Sequence, residues 1–398
     1  MRVCTLDELK RATGGTVISR LQTQFSGIGT DTRRDLTGQV FWALKGESFD
    51  ANDFLDQAVN AGAAALVVDV WPGRFQGLEK KITILKVKDT LRALQDYAHH
   101  AREEWGGLVI GLTGSNGKTT SKEFSQAILE SALPVHSNKG SFNNHFGLPF
   151  NLLQAPQDAM VILAEMGMNH FGEIQRLCEI ADPDIVVCSM VGRAHIEHFG
   201  SIAEIAKAKE EIYRFSAPEA IRIYNLDNEW THAMWERSAK DYPKARQILT
   251  FSQKKKADVK LKLVQMTMRD LTIEGSIQGV KGRATIPVFG EHNIVNLCVA
   301  ASVALATGMT PDQIWSALPL CKTNWGRNQF VQTRIGAEIL FDAYNANPDS
   351  MKALLDNARI LKTRGKKIGV FGEMLEMGEH SRSGHRELGE WVGRAGFD

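Results

Sequence analysis

Two periods of apolar residues run along the chain. VFWAL (40–44) and AALVVDV (64–70) are short apolar runs of the strand type, and FLDQAVNAGA (54–63) carries apolar residues at helical spacing before a glycine. The segment to about residue 87 therefore predicts a small α/β unit. VKDTLRALQDYAHHAREEWGG predicts one helix closed at Gly106-Gly107. Strands and helices then alternate: LVIGLTG (108–114), the helix SKEFSQAILESA (121–132), the strands AMVILAEMG (159–167) and DIVVCSMV (184–191), and the helix SIAEIAKAKEEIYRF (201–215). Continuous apolar strands between helices predict a mostly parallel sheet covered on both faces. Residues 257–289 become polar and alternating, predicting antiparallel strands in a side meander or insertion, before EHNIVNLCVAASVALATG (291–308) returns to helix. From about residue 321 the pattern predicts strand AEILFDAY, helix SMKALLDNARIL, strand KKIGVFGEM and helix HRELGEWVGRAG. A doubly wound unit normally has more strands than two, so this last unit is expected to be incomplete and to present a sheet edge.

Three units are expected: 1–87, 88–320 and 321–398. At 398 residues, with 43% apolar and 23% charged side chains, the chain has an ordinary globular composition. A net charge of +1 argues against a broadly basic nucleic-acid surface. No apolar run reaches the roughly 20 residues of a membrane span, and the N-terminus lacks a secretory h-region. The five cysteines form no C-x-x-C pair, which fits reduced thiols in the cytoplasm.

The most informative stretch is GLTGSNGKTT (111–120), placed between a strand and a helix. Gly114 and Gly117 let backbone N–H groups of Ser115, Asn116 and their neighbours approach phosphate oxygens. Lys118 can reach terminal phosphates, and the hydroxyl of Thr119 or Thr120 can meet Mg²⁺. The strict P-loop spacing is not met, because Leu112 stands where its first glycine would be. Nucleotide binding follows, but the loop alone does not separate an ATPase, a kinase or a ligase.

TGSNGKTT resembles the ATP loop of the Mur ligase family, the amide-forming enzymes of peptidoglycan precursor synthesis. NKGSFNNHFGLP (138–149), AEMGMNHFGEI (164–174), AHIEHFGSIAEIAKAKEEI (194–212) and GEHNIVNLCVA (290–300) match it in order, and WGRNQF (325–330) and FDAYNANPDSM (341–351) extend the match. Within the family these blocks look most like the member that adds D-alanyl-D-alanine to UDP-N-acetylmuramoyl tripeptide. The D-N-P-R motif of the diaminopimelate-adding relative is absent. The resemblance implies three α/β domains: a UDP-substrate domain, a central P-loop-like ATPase domain, and a Rossmann-like ligase domain. It implies ATP and Mg²⁺ as cofactors and a monomer.

The resemblance also assigns roles. Lys118, Lys209 and His195 are carried over as catalytic, with Thr119, Glu165, His195 and Lys209 at the metal sites. On residues alone, Glu165 reads as a capping or ion-paired carboxylate, His195 as a packing histidine and Lys209 as a solvated lysine. Lys209, rather than Lys207, matches the register of the family's carbamylated lysine. Asn293 and Asn296 share one helix face; the resemblance places them, with Arg327 and Asp342, at the nucleotide. It places Asn143 and Asn144 near the nucleotide and acyl substrate, Tyr344, Asn345 and Asn347 at the incoming amine, and Asp31, Thr32 and Arg33 at the UDP-sugar. Where the family has a D-G-H-D-F-like run, this chain has DANDF, with Ala51 and Asn52 in place of glycine and histidine.

The expected activity is ATP-dependent amide synthesis through an acyl phosphate. The alternatives are another Mur- or folylpolyglutamate-type ligase, and a truncated non-catalytic nucleotide-binding protein.

Overall fold

The computed structural model describes residues 3–46, 49–71, 73–138, 142–361, 363 and 365–398. Residues 139–141 of the NKGSFNNHFGLP block and residues 47–48, ahead of DANDF, lie outside the described residues.

A nine-stranded sheet organises the molecule. Its order is Val280–Ile286, Leu271–Ile277, Val259–Met266, Ile248–Ser252, Ile221–Asn225, Ile185–Cys188, Leu108–Thr113, Val161–Glu165, Val135–Ser137. The strands from Val135 to Val259 pair in parallel, and the last two pairings are antiparallel. The meander is therefore no side attachment. Val259 pairs in parallel with Phe251, so the hairpins continue the same sheet.

The continuous apolar runs have the burial they predict. Alternate residues point to opposite faces: Val109, Ile162, Ala164 and Val186 pack in one core, while Ile110, Leu112, Leu163 and Val187 pack in the other. Helices Lys118–Leu129 and Asn293–Ala306 share the second core; Thr90–Trp105, Glu173–Ala181 and Ile202–Arg214 contribute to the first. Along the chain, Leu108–Thr113 is followed by strands on one side of it and then by Ile185–Cys188 on the other. Such a reversal opens a crevice at the carboxyl ends of the strands.

A five-stranded sheet of Thr16–Ser19, Thr83–Lys86, Ala65–Val68, Val40–Trp42 and Ile28–Gly29 forms the N-terminal unit. Helix Thr90–Trp105 joins it to the central sheet. Asp89 caps the start by accepting from the Arg92 N–H, and Gly106, at φ 68°, closes the end. The Trp42 indole N–H donates to the Thr90 carbonyl at 2.7 Å, and its ring stacks on Tyr97. On the far side Arg102 donates to the carbonyls of Ala181 and Asp182 and to the Asp184 carboxylate.

The third unit holds the hairpin Gln329–Gln332 with Glu338–Phe341, helices Pro348–Ile360 and Ser381–Arg394, and a small core of Met351, Leu355, Met374, Met377 and Leu388. The predicted strand KKIGVFGEM is not formed. A strand requires a ladder partner, and the hairpin strand Glu338–Phe341 pairs only with Gln329–Gln332 among the described residues. Instead the Lys367 carbonyl accepts from the Asp398 N–H and the Lys367 N–H donates to Asp398 Oδ2, and Ile368 and Val370 stay exposed. All five cysteines are buried. Burial raises the thiol pKa of Cys178, Cys188, Cys298 and Cys321, that of Cys188 to about 11.

Candidate active site

The carboxyl ends of three adjacent parallel strands carry the chemistry. Leu108–Thr113 runs into the loop 114–117, Val161–Glu165 ends on Glu165, and Ile185–Cys188 leads to Ser189–His195. The loop closes on Gly117, at φ 80°, which starts helix Lys118–Leu129. Side chains would not fit here: a Cβ at Gly114 would fall 2.0 Å from Ser189 Oγ, and one at Gly117 2.2 Å from Asn296 Oδ1. Ser189 Oγ donates to the Asn116 carbonyl at 2.7 Å, and the Ser115 N–H donates to the Met190 carbonyl at 2.8 Å. The loop is thus held by its neighbours, with the helix N-terminus behind it.

A cleft of about 550 Å³ opens over this loop. It gathers Ser115, Asn116, Gly117, Lys118, Thr119 and Thr120 with Asn143, Asn144, Glu165 and His195, and with Asn293, Asn296, Arg327, Asp342, Tyr344, Asn345 and Asn347. Gly114 and Lys209 do not line it. Asp31, Thr32 and Arg33 lie outside it on the N-terminal unit, where Arg33 clamps Asp31 through two bonds of 2.8 and 2.9 Å. That pair holds the Asp31 carboxyl down at about 2.

Two basic side chains, Lys118 and Arg327, reach the loop within the cleft. Lys118 Nζ donates to the Gly114 carbonyl at 2.8 Å; burial lowers its pKa, opposed by the charge of Glu165. Arg327 donates to Thr119 Oγ1 at 3.0 Å and lies over the Tyr344 ring. Asp342 accepts from the Asn328 N–H, and burial raises its pKa. Asn144 Oδ1 accepts from the N–H groups of Phe146 and Gly147 at the start of helix Gly147–Leu153, and Asn345 accepts from the Ala346 N–H.

Glu165, Lys209 and His195 each carry a buried polar atom without a hydrogen-bond partner among the described residues. Glu165 is 1% exposed; Oε1 accepts from Asn143 at 2.9 Å, while Oε2 has no hydrogen-bond partner. Lys209 is fully buried and its Nζ is also unbonded. Burial, helped by the charge of Lys118, lowers its pKa to about 7. Lys207, by contrast, is exposed and paired with Glu204. His195 takes a left-handed backbone at φ 64°. Its Nδ1 lies 2.7 Å from Glu376 Oε2 without hydrogen-bond geometry. Burial and the lysine charges depress its pKa to about 3, leaving a neutral imidazole. Buried polar groups normally find partners; Glu165 Oε2 and the neutral His195 imidazole, both from residues lining the cleft, are donors that a cation could use.

Asn293 and Asn296 face each other, and their amides are already engaged. Asn296 Nδ2 donates to Asn293 Oδ1 at 2.8 Å, Ser121 Oγ donates to Asn296 Oδ1 at 3.0 Å, and Asn293 Nδ2 donates to the Phe289 carbonyl. In this arrangement they brace the phosphate-loop helix. Sequence reasoning missed Lys122, which is buried, 3.8 Å from Glu165 Oε2, and donates to the Asn138 carbonyl. Its spacing, one turn beyond Lys118, was the available signal. It also missed His292, whose ring contacts the amides of Asn328 and Asn357 and whose pKa burial lowers to about 4.

The chain matches the Mur ligase middle domain over residues 112–304 and the Mur ligase glutamate ligase domain over 326–398. It is 35% identical over 368 residues to the UDP-N-acetylmuramoyl-tripeptide–D-alanyl-D-alanine ligase of Bacillus subtilis, covering 92% of this chain and 78% of that protein. With the Escherichia coli enzyme of the same name it shares 34% identity over 374 residues, 93% of this chain and 79% of the relative. A crystal structure of MurF from Acinetobacter baumannii superposes with a TM-score of 0.90 at 31% identity, covering 98% of this chain and 84% of that one. The MurF ligase of Thermotoga maritima in complex with ADP gives 0.79 at 28% identity, covering 92% and 82%.

Proposed function

Because this chain belongs to the Mur ligase family, we propose that it is an ATP-dependent ligase that joins D-alanyl-D-alanine to UDP-N-acetylmuramoyl tripeptide, making the pentapeptide precursor of peptidoglycan. The relatives that carry this name cover most of the chain. The observation that carries the assignment to this cleft is the phosphate loop opening beside Glu165 and His195 and facing residues of the third unit.

The terminal carboxylate of the tripeptide attacks the γ-phosphorus of ATP, and the bond to the bridging oxygen of ADP breaks. Loop N–H groups, Lys118 and Arg327 stabilise charge on the transferring group. The neutral amine of D-alanyl-D-alanine then attacks the acyl carbon and loses its proton as inorganic phosphate departs, leaving the amide. Tyr344, Asn345 and Asn347 form the wall from which the amine arrives. Water would hydrolyse the acyl phosphate, so a cleft walled by two units favours amide over hydrolysis.

Glu165, His195 and Thr119 are suited to hold Mg²⁺, which neutralises phosphate charge when bound. The unbonded Glu165 Oε2 and the neutral His195 support this. Lys209 suits carbamylation. A neutral amine adds to CO₂ and loses a proton, giving a carbamate with oxygen donors, and its pKa of about 7 leaves much of it neutral at physiological pH. Asp31, Thr32 and Arg33 are assigned to the UDP-sugar, and the units 1–87, 88–320 and 321–398 to UDP-substrate, nucleotide and amine. The enzyme works as a cytoplasmic monomer; among the described residues no helix is long and apolar enough to cross a membrane.

The test is ADP release with UDP-muramoyl tripeptide, with and without D-alanyl-D-alanine. Amine-dependent release with pentapeptide formation is expected. ADP affinity without product would favour a nucleotide-binding protein, and release triggered by a different amine would favour another ligase of the family.

A further inference from the structure

Beside the direct bonds of Arg327 to Thr119 and of Asn347 to Asn116, the third unit is tied to the phosphate loop through a residue that no motif marks. Arg193 lies in the segment after strand Ile185–Cys188. Its side chain spans two helices: Nε donates to Asp349 Oδ1 at 3.2 Å, and Nη1 to Glu387 Oε2 at 2.9 Å. Its backbone N–H donates to the other oxygen of Asp349 at 2.7 Å. The preceding residue is fastened to the phosphate loop. The Gly192 N–H donates to Ser115 Oγ at 2.8 Å, and Ser115 Oγ lies 3.1 Å from the Gly192 carbonyl. A Cβ at Gly192 would fall 2.4 Å from Asp349 Oδ2, so the two segments meet at backbone distance. A parallel bond runs from Asn347 Nδ2 to Asn116 Oδ1 at 2.6 Å. Asn347, Asp349 and Ser350 form the cleft wall opposite the loop.

We propose that Arg193 is a positioning residue for the ligation step: it seats helix Pro348–Ile360 against the phosphate loop, so that the amine-bearing wall faces the acyl phosphate at reacting distance. The inference rests on the ligase assignment above. A planar guanidinium holding carboxylates on two helices fixes orientation as well as separation, which a lysine ammonium does less well. Asp349 sits in the first turn of its helix, so Arg193 fixes the helix at the end that meets the cleft. Arg193 does not line the cleft and is not expected to touch substrate.

The experiment compares Arg193→Met, Arg193→Lys and Glu387→Gln with the parent. Glu387 lies partly exposed on Ser381–Arg394, away from the cleft, so its substitution is safe for folding. Arg193→Met is expected to raise KM for D-alanyl-D-alanine roughly tenfold, with directly measured ADP affinity within about twofold of the parent. Arg193→Lys should recover part of the loss, and Glu387→Gln should give a smaller shift of the same kind. Unchanged amine KM in both Arg193→Met and Glu387→Gln would overturn the proposal. So would a parallel loss of ADP affinity, which marks general loosening. A parent with no amine-dependent turnover would refute the ligase assignment instead. Thermolysin digestion then still tests the seating: Arg193→Met should hasten cleavage in 345–394, and parental rates there would overturn it.

Discussion

Gly117→Ala is the sharpest probe of the phosphate loop. Two costs are separable. A left-handed backbone, here φ 80°, costs a non-glycine residue about 1–2 kcal/mol. The new Cβ would also stand 2.2 Å from Asn296 Oδ1. Relieving that overlap moves the Asn296 amide off Ser121 and Asn293, now bonded at 3.0 and 2.8 Å, at about 1 kcal/mol per lost bond. Gly172→Ala provides the control. Gly172 has nearly the same φ, 82°, also starts a helix, and has nothing within 4 Å of its ideal Cβ. It pays only the backbone cost. Thermal melting should therefore show Gly117→Ala destabilised by about 1–2 kcal/mol more than Gly172→Ala. Calorimetric titration with ADP should show affinity reduced about tenfold or more in Gly117→Ala alone, equivalent to about 1.4 kcal/mol. Equal melting of the two variants, with parental ADP affinity, would refute the claim that the loop is braced by Asn296.

Lys118→Ala should lower amide formation by at least about a hundredfold while leaving the melting temperature near the parent's; parental turnover measured by ADP release would remove the assigned role. Lys209→Met should abolish ligation; in CO₂-free buffer, where the parent's amine is unmodified, it should melt higher than the parent at pH 7, because burial of the amine opposes its charging. The folded-state pKa of about 7 lies below the ordinary 10.5. The penalty is therefore full below pH 7 and fades as pH rises towards 10.5, so the melting gap should narrow across that window. His292, with a pKa of about 4 against an ordinary 6.5, makes the fold lose stability as pH falls from 6.5 towards 4. His292→Gln should flatten that slope in acid unfolding curves; an unchanged slope would show that the imidazole is not buried neutral.

The central sheet was legible because strands such as AMVILAEMG are buried on both faces, and only continuous apolar runs satisfy that. The edge connection was not. Alternation in VKLKLVQM identifies a half-exposed strand but not the partner beside it, here the parallel neighbour Ile248–Ser252. KKIGVFGEM misled for a related reason: strand propensity in Ile368 and Val370 forms a ladder only when another strand stands alongside. The phosphate loop was visible because its chemistry is local to a few consecutive residues. Lys122, Arg193 and His292 were not, since each acts on partners distant in sequence; Arg193 and Asp349 are 156 residues apart. The spacing of Asn293 and Asn296 announced a shared face, but not that the face is spent on Ser121 and the Phe289 carbonyl.

The burial of the five cysteines has a practical side. All are shielded from bulk reagents, and four are held protonated at neutral pH. A single cysteine engineered onto the surface of Ser381–Arg394 would therefore take up a maleimide dye selectively, with no cysteine-free background to build. Approach of this helix to the nucleotide unit could then be followed optically through a turnover cycle.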